Sequence, residues 1–138
     1  MRTLMLTMMM LLVSPVTVAG HEPASRSVAI ERHYCTQYGP FFIRFDPDKA
    51  AGVFTIHNNG DLGSIVGRLD GLTLDGEWIE VDSRGEIRLE FTSDWSRFEA
   101  RYNVAGNPET WHGNWTGILR PADAPATIEV NETEYRCI

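Results

Sequence analysis

No methionine occurs after Met10, and all five fall in the first ten residues. Beyond that N-terminal segment no run approaches the ~20 apolar residues that a membrane-spanning helix needs. Clusters of basic residues are missing too. The 138-residue chain carries 12 Lys and Arg against 19 Asp and Glu, a net charge of −7, which argues against nucleic acid or an anionic membrane surface as a partner. There is no G-x-S-x-G, no Gly-rich phosphate loop, and no H-x-x-x-H or C-x-x-C pair, so the usual signatures of a serine hydrolase, a nucleotide site and a structural zinc are absent. No window repeats its apolar residues at the helical period. No cofactor is expected.

What is present begins with MRTLMLTMMMLLVSPVTVAG, where one cation (Arg2) precedes a short apolar run, Pro15 and small residues. This is the layout of a secretory signal peptide over residues 1–20, too short and interrupted for a comfortable membrane anchor. Cleavage near Ala19 or Gly20 would leave 11 cations against 19 anions in a chain exported to the periplasm or the cell exterior. Residues 21–27 read as a polar leader, and 28–138 as one domain. The only cysteines, Cys35 and Cys137, read as a disulfide in an exported chain, with free thiols or a metal pair as alternatives that lack supporting ligand spacing.

The stretch Leu72–Tyr102 carries the clearest pattern. Leu72, Leu74 and Trp78 share one face of an alternating run, as do Ile87, Leu89 and Phe91, and again Phe98, Ala100 and Tyr102. The opposite faces hold Asp75 and Glu77, then Glu86, Arg88 and Glu90, then Arg97, Glu99 and Arg101. Period-two alternation across three segments predicts an antiparallel meander with one wet face, and its outward charges suggest cross-strand ion pairs. Upstream, strands are expected at Val28–Cys35, Phe41–Phe45, Gly52–Ile56 and Ser64–Leu69, with turns at Gly39-Pro40, Asp46-Pro47-Asp48 and Asn58–Asp61. Downstream, Ala105–Trp111 reads as the longest loop, followed by strands at Gly113–Leu119, Thr127–Val130 and Glu134–Cys137. Turn signals spaced about 8–12 residues apart fit an all-β chain of eight to ten strands. A meander closed as a small barrel is preferred over a β-sandwich, because a bridge between first and last strands suits a sheet whose ends meet.

Gly76-Glu77-Trp78 and Gly113-Asn114-Trp115 form a weak G-x-W repeat. Glycines inside strands mark bends or close packing under large rings. With the meander and the late WHGNWTG, these motifs resemble the calycin group of avidin-like and lipocalin-like barrels, and small exported bacterial proteins built from such strands. The likeness spans Tyr34 to Arg120. It implies a small antiparallel barrel and bears on the fold, not the ligand: His33-Tyr34-Cys35 stands where lipocalins open with G-x-W, and the polar biotin contacts of avidins have no counterpart.

Candidate functional residues are mainly aromatic. Trp95 sits in a turn, and Trp111 and Trp115 flank His112, so the four could form a recognition rim at one barrel mouth; alternatively the rings fold back and plug the barrel end. Glu80 shares the inward parity of Trp78, but near a strand end where it reaches solvent, and no partner carboxylate suggests catalysis. His21 would offer an amine and an imidazole to copper if cleavage followed Gly20. Asn114 and Asn131 open N-x-T sequons. The expectation is a non-enzymatic exported binder of a small apolar or glycan ligand. The alternatives are a protein-binding module, such as a hydrolase inhibitor with a loop wedge, and a copper protein.

Overall fold

The computed structural model describes residues 16, 20, 29–55 and 61–138. Apart from Val16 and Gly20, the expected signal peptide, the leader, His21 and the Asn58-Asn59-Gly60 turn lie outside the described residues. Strands run β1 Ile30–Thr36, β2 Pro40–Asp46, β3 Lys49–Thr55, β4 Leu62–Asp70, β5 Thr73–Ile79, β6 Arg84–Phe91, β7 Arg97–Val104, β8 Asn107–Leu119, β9 Thr127–Val130 and β10 Thr133–Arg136.

Strands β1 to β8 form a closed antiparallel barrel, each paired with the next. β1 closes the ring by pairing β2 from Ile30↔Phe45 to Cys35↔Pro40 and β8 from Tyr34↔Leu119 to Thr36↔Gly117. The β9–β10 hairpin joins the sheet through Thr36↔Arg136, and the Cys35–Cys137 disulfide fixes it there. Cys35, Tyr135 and Cys137 form a small buried cluster with Ile118, Ile128 and Val130 packed against it. This cluster is separate from the main core.

The alternation predicted for the meander sets the core. Ile87, Leu89 and Phe91 of β6 are buried while Glu86, Arg88 and Glu90 are exposed, and Phe98 and Ala100 of β7 repeat the pattern. Large rings fit inside because glycines stand opposite them. A Cβ on Gly52 would lie 2.6 Å from the Phe41 ring, and Gly63 and Gly117 lie directly under Phe54 and Phe98. Gly67 and Gly76 face one another across β4 and β5, where a Cβ on Gly76 would come within 2.7 Å of the Gly67 Cα.

Two expectations are corrected. Ala105–Trp111 is not a loop: Ala105 and Gly106 make a tight turn, and β8 starts at Asn107. The outer charges of β5–β7 pair directly across strands as opposites at Asp75 and Arg88, but not at the other charged positions. Glu77 faces Glu86, Arg88 faces Arg101, and Glu90 faces Glu99. The row of Asp75, Arg88 and Arg101 mixes signs, while the flanking rows of Glu77 with Glu86 and of Glu90 with Glu99 are carboxylates. Of the directly opposed pairs in this region, Asp75 and Arg88 form the close ion pair, at 2.6 Å.

The two barrel ends differ. At one, the base, lie the β2–β3, β4–β5 and β6–β7 turns. At the other, the mouth, lie the β1–β2, β5–β6 and β7–β8 turns and the Thr55↔Leu62 pair. The base half is packed solid by Tyr34, Phe41, Phe45, Phe91 and Phe98, with ring centroids 5.1–6.3 Å apart in the pairs that touch.

Candidate functional site

The base is sealed by Trp95. The carboxylate of Asp94 accepts from the Thr92 hydroxyl at 2.8 Å and from the Ser96 N–H and hydroxyl at 3.0 and 2.7 Å. These bonds hold the carboxyl near pKa 2, below its usual 3.8, the Ser96 hydroxyl contributing most. They also fix a turn in which Trp95 takes a left-handed backbone, φ 62°, a conformation uncommon for a bulky residue. Its ring turns inward against Phe91 and Phe45, at 4.8 and 5.2 Å, with the Arg32 guanidinium 5.6 Å from its centroid. The Tyr34 hydroxyl donates to the Trp95 carbonyl at 3.0 Å. Burial pushes this phenol up to about 12.

The mouth half is hollow. A cavity of about 280 Å³ opens there, lined by Tyr38, Phe54, Thr55, Trp78, Glu80, Ile87, Tyr102 and Trp115. Its walls are rings meeting at large angles. Trp78 and Tyr102 stand 5.9 Å apart at 84°, and Phe54 and Trp115 stand 5.7 Å apart at 59°. Glu80, just past the end of β5, is half-buried and is the one charged residue of the lining. Burial, then Tyr38 and Glu80, raise the pKa of the Tyr102 hydroxyl.

Two polar networks hold these walls. Asn103 is 1% exposed. Its Oδ1 accepts from the Glu86 N–H at 2.8 Å, and its Nδ2 donates to Glu86 Oε2 at 2.7 Å and to the Pro108 carbonyl at 3.1 Å. Its own carbonyl accepts from the Trp78 indole at 2.8 Å. One asparagine thus ties β5, β6, β7 and β8 together and fixes the ring plane of Trp78. The second network centres on Gln37, which donates to the Thr116 hydroxyl at 2.8 Å and to the Asn114 carbonyl at 3.1 Å, and accepts from the Thr116 N–H at 2.9 Å. Those bonds clasp a bulge in β8. Between the pairs Ala100↔Trp115 and Tyr102↔His112, β8 spends one more residue than β7, and Asn114 takes φ 69°. The extra residue resets which side chains face inward and delivers Trp115 to the interior.

The four expected rim residues therefore part company. Trp115 is buried and lines the cavity. His112 lies beside its wall, 5.4 Å from the Tyr102 ring. Trp111, 48% exposed, sits on the outer barrel face in a groove with Glu86, Arg88 and Arg101. Trp95 occupies the opposite end. The common rim is not formed, because the bulge and the Asp94 turn send neighbouring tryptophans in different directions. Asn103, Tyr38 and Tyr102 were not among the site expectations. A polar residue directly after an alternating run is the signal that could have drawn attention to Asn103. Both sequon asparagines are exposed. Among the described residues no group of three or more His, Cys, Asp or Glu is placed to hold a metal.

Compared with protein-family models, curated proteins and solved structures, the chain matches none.

Proposed function

We propose that this protein is an exported binder that takes one small ligand into the mouth of its barrel and performs no chemistry on it. The hollow mouth carries this reading. A barrel of eight strands is just large enough either to fill with side chains or to hold one small molecule, and here one half is filled while the other is open. An apolar cavity of ~150 Å³ holds a benzene ring, so the ~280 Å³ here suits a ligand of roughly 8–12 non-hydrogen atoms. Walls of aromatic rings with a few convergent polar groups are the usual make-up of such sites. Export to an oxidising compartment, periplasmic or extracellular, is supported by the buried disulfide and by the N-terminal signal pattern. The competing reading, a protein-binding module such as a hydrolase inhibitor, would be favoured by a packed interior and a protruding loop over Ala105–Trp111; a tight turn and a strand occupy those residues, and the mouth is hollow, so the small-ligand reading is the better supported.

The test is a titration of the protein with one-ring and branched-chain molecules of that size, in neutral, cationic and anionic forms, followed by tryptophan fluorescence. Trp78 and Trp115 should report a saturable change, and Ile87→Trp, which fills the cavity, should abolish it. No saturable change with any of the three charge types up to millimolar concentration would overturn the proposal.

A further inference from the structure

We infer that the ligand of the mouth cavity is an organic cation, an alkylated ammonium group held in an aromatic cage; this rests on the small-ligand reading above. Five of the eight lining residues, Tyr38, Phe54, Trp78, Tyr102 and Trp115, are aromatic. The negative face of such a ring attracts a cation within about 6 Å of its centroid, and tryptophan does so most strongly. The wide angles within the Trp78–Tyr102 and Phe54–Trp115 pairs rule out parallel stacking, so the ring planes around the cavity differ in direction, as the walls of a cage require. Trp78 is set in advance, since its indole N–H is already committed to the Asn103 carbonyl.

Charge selects among ligand types. Glu80 is the single charged side chain of the lining, and neither Lys, Arg nor His contributes to it. An anion would be brought beside this carboxylate with no lining cation to offset it. A neutral apolar ligand would strip water from Glu80 and leave its charge only the long Ser83 hydroxyl contact, at 3.5 Å, which is unfavourable. An ammonium group carrying methyl or other alkyl substituents satisfies both demands, because its methyls contact the rings while its charge lies near Glu80. The net charge of −7 favours the approach of cations in general.

The experiment compares choline with 3,3-dimethyl-1-butanol, its uncharged counterpart of the same shape, and with the anion 3,3-dimethylbutanoate, by isothermal titration calorimetry on the whole protein. Choline should bind about tenfold more tightly than the alcohol, the scale of a partly desolvated cation–π contact. Glu80→Gln and Trp78→Phe should each narrow that ratio, with binding of the alcohol retained. Equal binding of choline and the alcohol, or tighter binding of the anion, would overturn the cation cage while leaving a small-ligand site intact. Failure of all three molecules to bind, together with no response to the wider panel above, would overturn both.

Discussion

The indole N–H of Trp78 meets the main-chain carbonyl of Asn103 across 2.8 Å, and that carbonyl stands so close to Gly85 that no side chain could fit at position 85. Trp78, Gly85 and Asn103 come from three successive strands. Their contact makes the mouth wall a rigid unit: glycine permits the approach, asparagine anchors the carbonyl, and the tryptophan reads its position from it. A cavity with walls fixed in this way demands little side-chain ordering when a ligand enters, which favours affinity.

Asn103→Ala should therefore be costly. It would remove three side-chain bonds of a buried residue, to the Glu86 N–H and carboxylate and to the Pro108 carbonyl, each contributing about 0.5–1.5 kcal/mol net. We expect a loss of about 2–4 kcal/mol in urea unfolding, with weakened binding of any mouth ligand because Trp78 loses its alignment. A loss below about 0.5 kcal/mol, the range of ordinary surface changes, would show that Asn103 does not hold the wall.

Much of this was open to inspection in the sequence. Leu74, Trp78, Ile87, Leu89, Phe91, Phe98 and Ala100 alternate with charged residues because one face of each strand is wet, so parity alone identifies the core. Glu80 shares the inward parity of Trp78, but its position near a strand end points to solvent, so parity alone does not assign it to the cavity lining. Residues 107–114 gave no such signal, since every one of them is exposed and two-faced exposure erases alternation; Pro108 and Gly106 then make the segment look like a loop. The placement of Trp111, His112 and Trp115 was illegible for a different reason. It depends on two register shifts between β7 and β8, one of them the one-residue bulge at Gly113-Asn114 and the other between the Tyr102↔His112 and Val104↔Asn107 pairs, and a single inserted residue exchanges the two faces of everything beyond it.

Glycine positions make a second prediction. Gly76→Ala would drive its Cβ against the Val66 carbonyl and the Gly67 Cα, main-chain atoms that cannot swing aside. The cost should be about 1–3 kcal/mol, typical of overpacking. Gly113→Ala places a Cβ where nothing lies within 4 Å and should stay within about 0.5 kcal/mol of the parent. Thermal unfolding of the pair decides it, and equal losses at both positions would count against the packing account.

The base should show pH dependence at both extremes. The Asp94 carboxyl titrates lower in the folded state, about 2 against 3.8, so its contribution is in full force above pH 3.8 and fades as pH falls toward 2. Asp94→Asn should flatten that acid limb. Tyr34 is the reverse case, raised from 10.0 to about 12 by burial. Its contribution holds below pH 10 and is lost as pH climbs to 12. Tyr34→Phe should remove this alkaline limb and cost about 1 kcal/mol at neutral pH for the lost bond to the Trp95 carbonyl. Stability measured against pH in urea checks both, and unchanged limbs in the variants would refute the assignments.

The disulfide is the cleanest separation of fold from fastening. Cys35 and Cys137 are 102 residues apart in sequence, so in the chain-entropy model the bridge contributes about 4–5 kcal/mol by restricting the unfolded chain. Yet it stands outside the main core, tying the β9–β10 hairpin to β1, and the barrel closes through the β1–β2 and β1–β8 pairings without it. Reduction, or Cys137→Ser, should thus lower the urea midpoint strongly while the far-ultraviolet dichroism of the folded barrel and ligand binding at the mouth persist. The cavity wall is held by Asn103, which is not part of that cluster, whereas Gln37 bonds Thr116, whose hydroxyl also meets that of Tyr135 at 3.1 Å, so the Gln37 clasp should feel the reduction more than the Trp78 wall. Loss of the β-sheet signal in the reduced protein under native conditions would mean that hydrogen-bonded closure alone is insufficient, and that the sulfur bridge is a condition of the barrel.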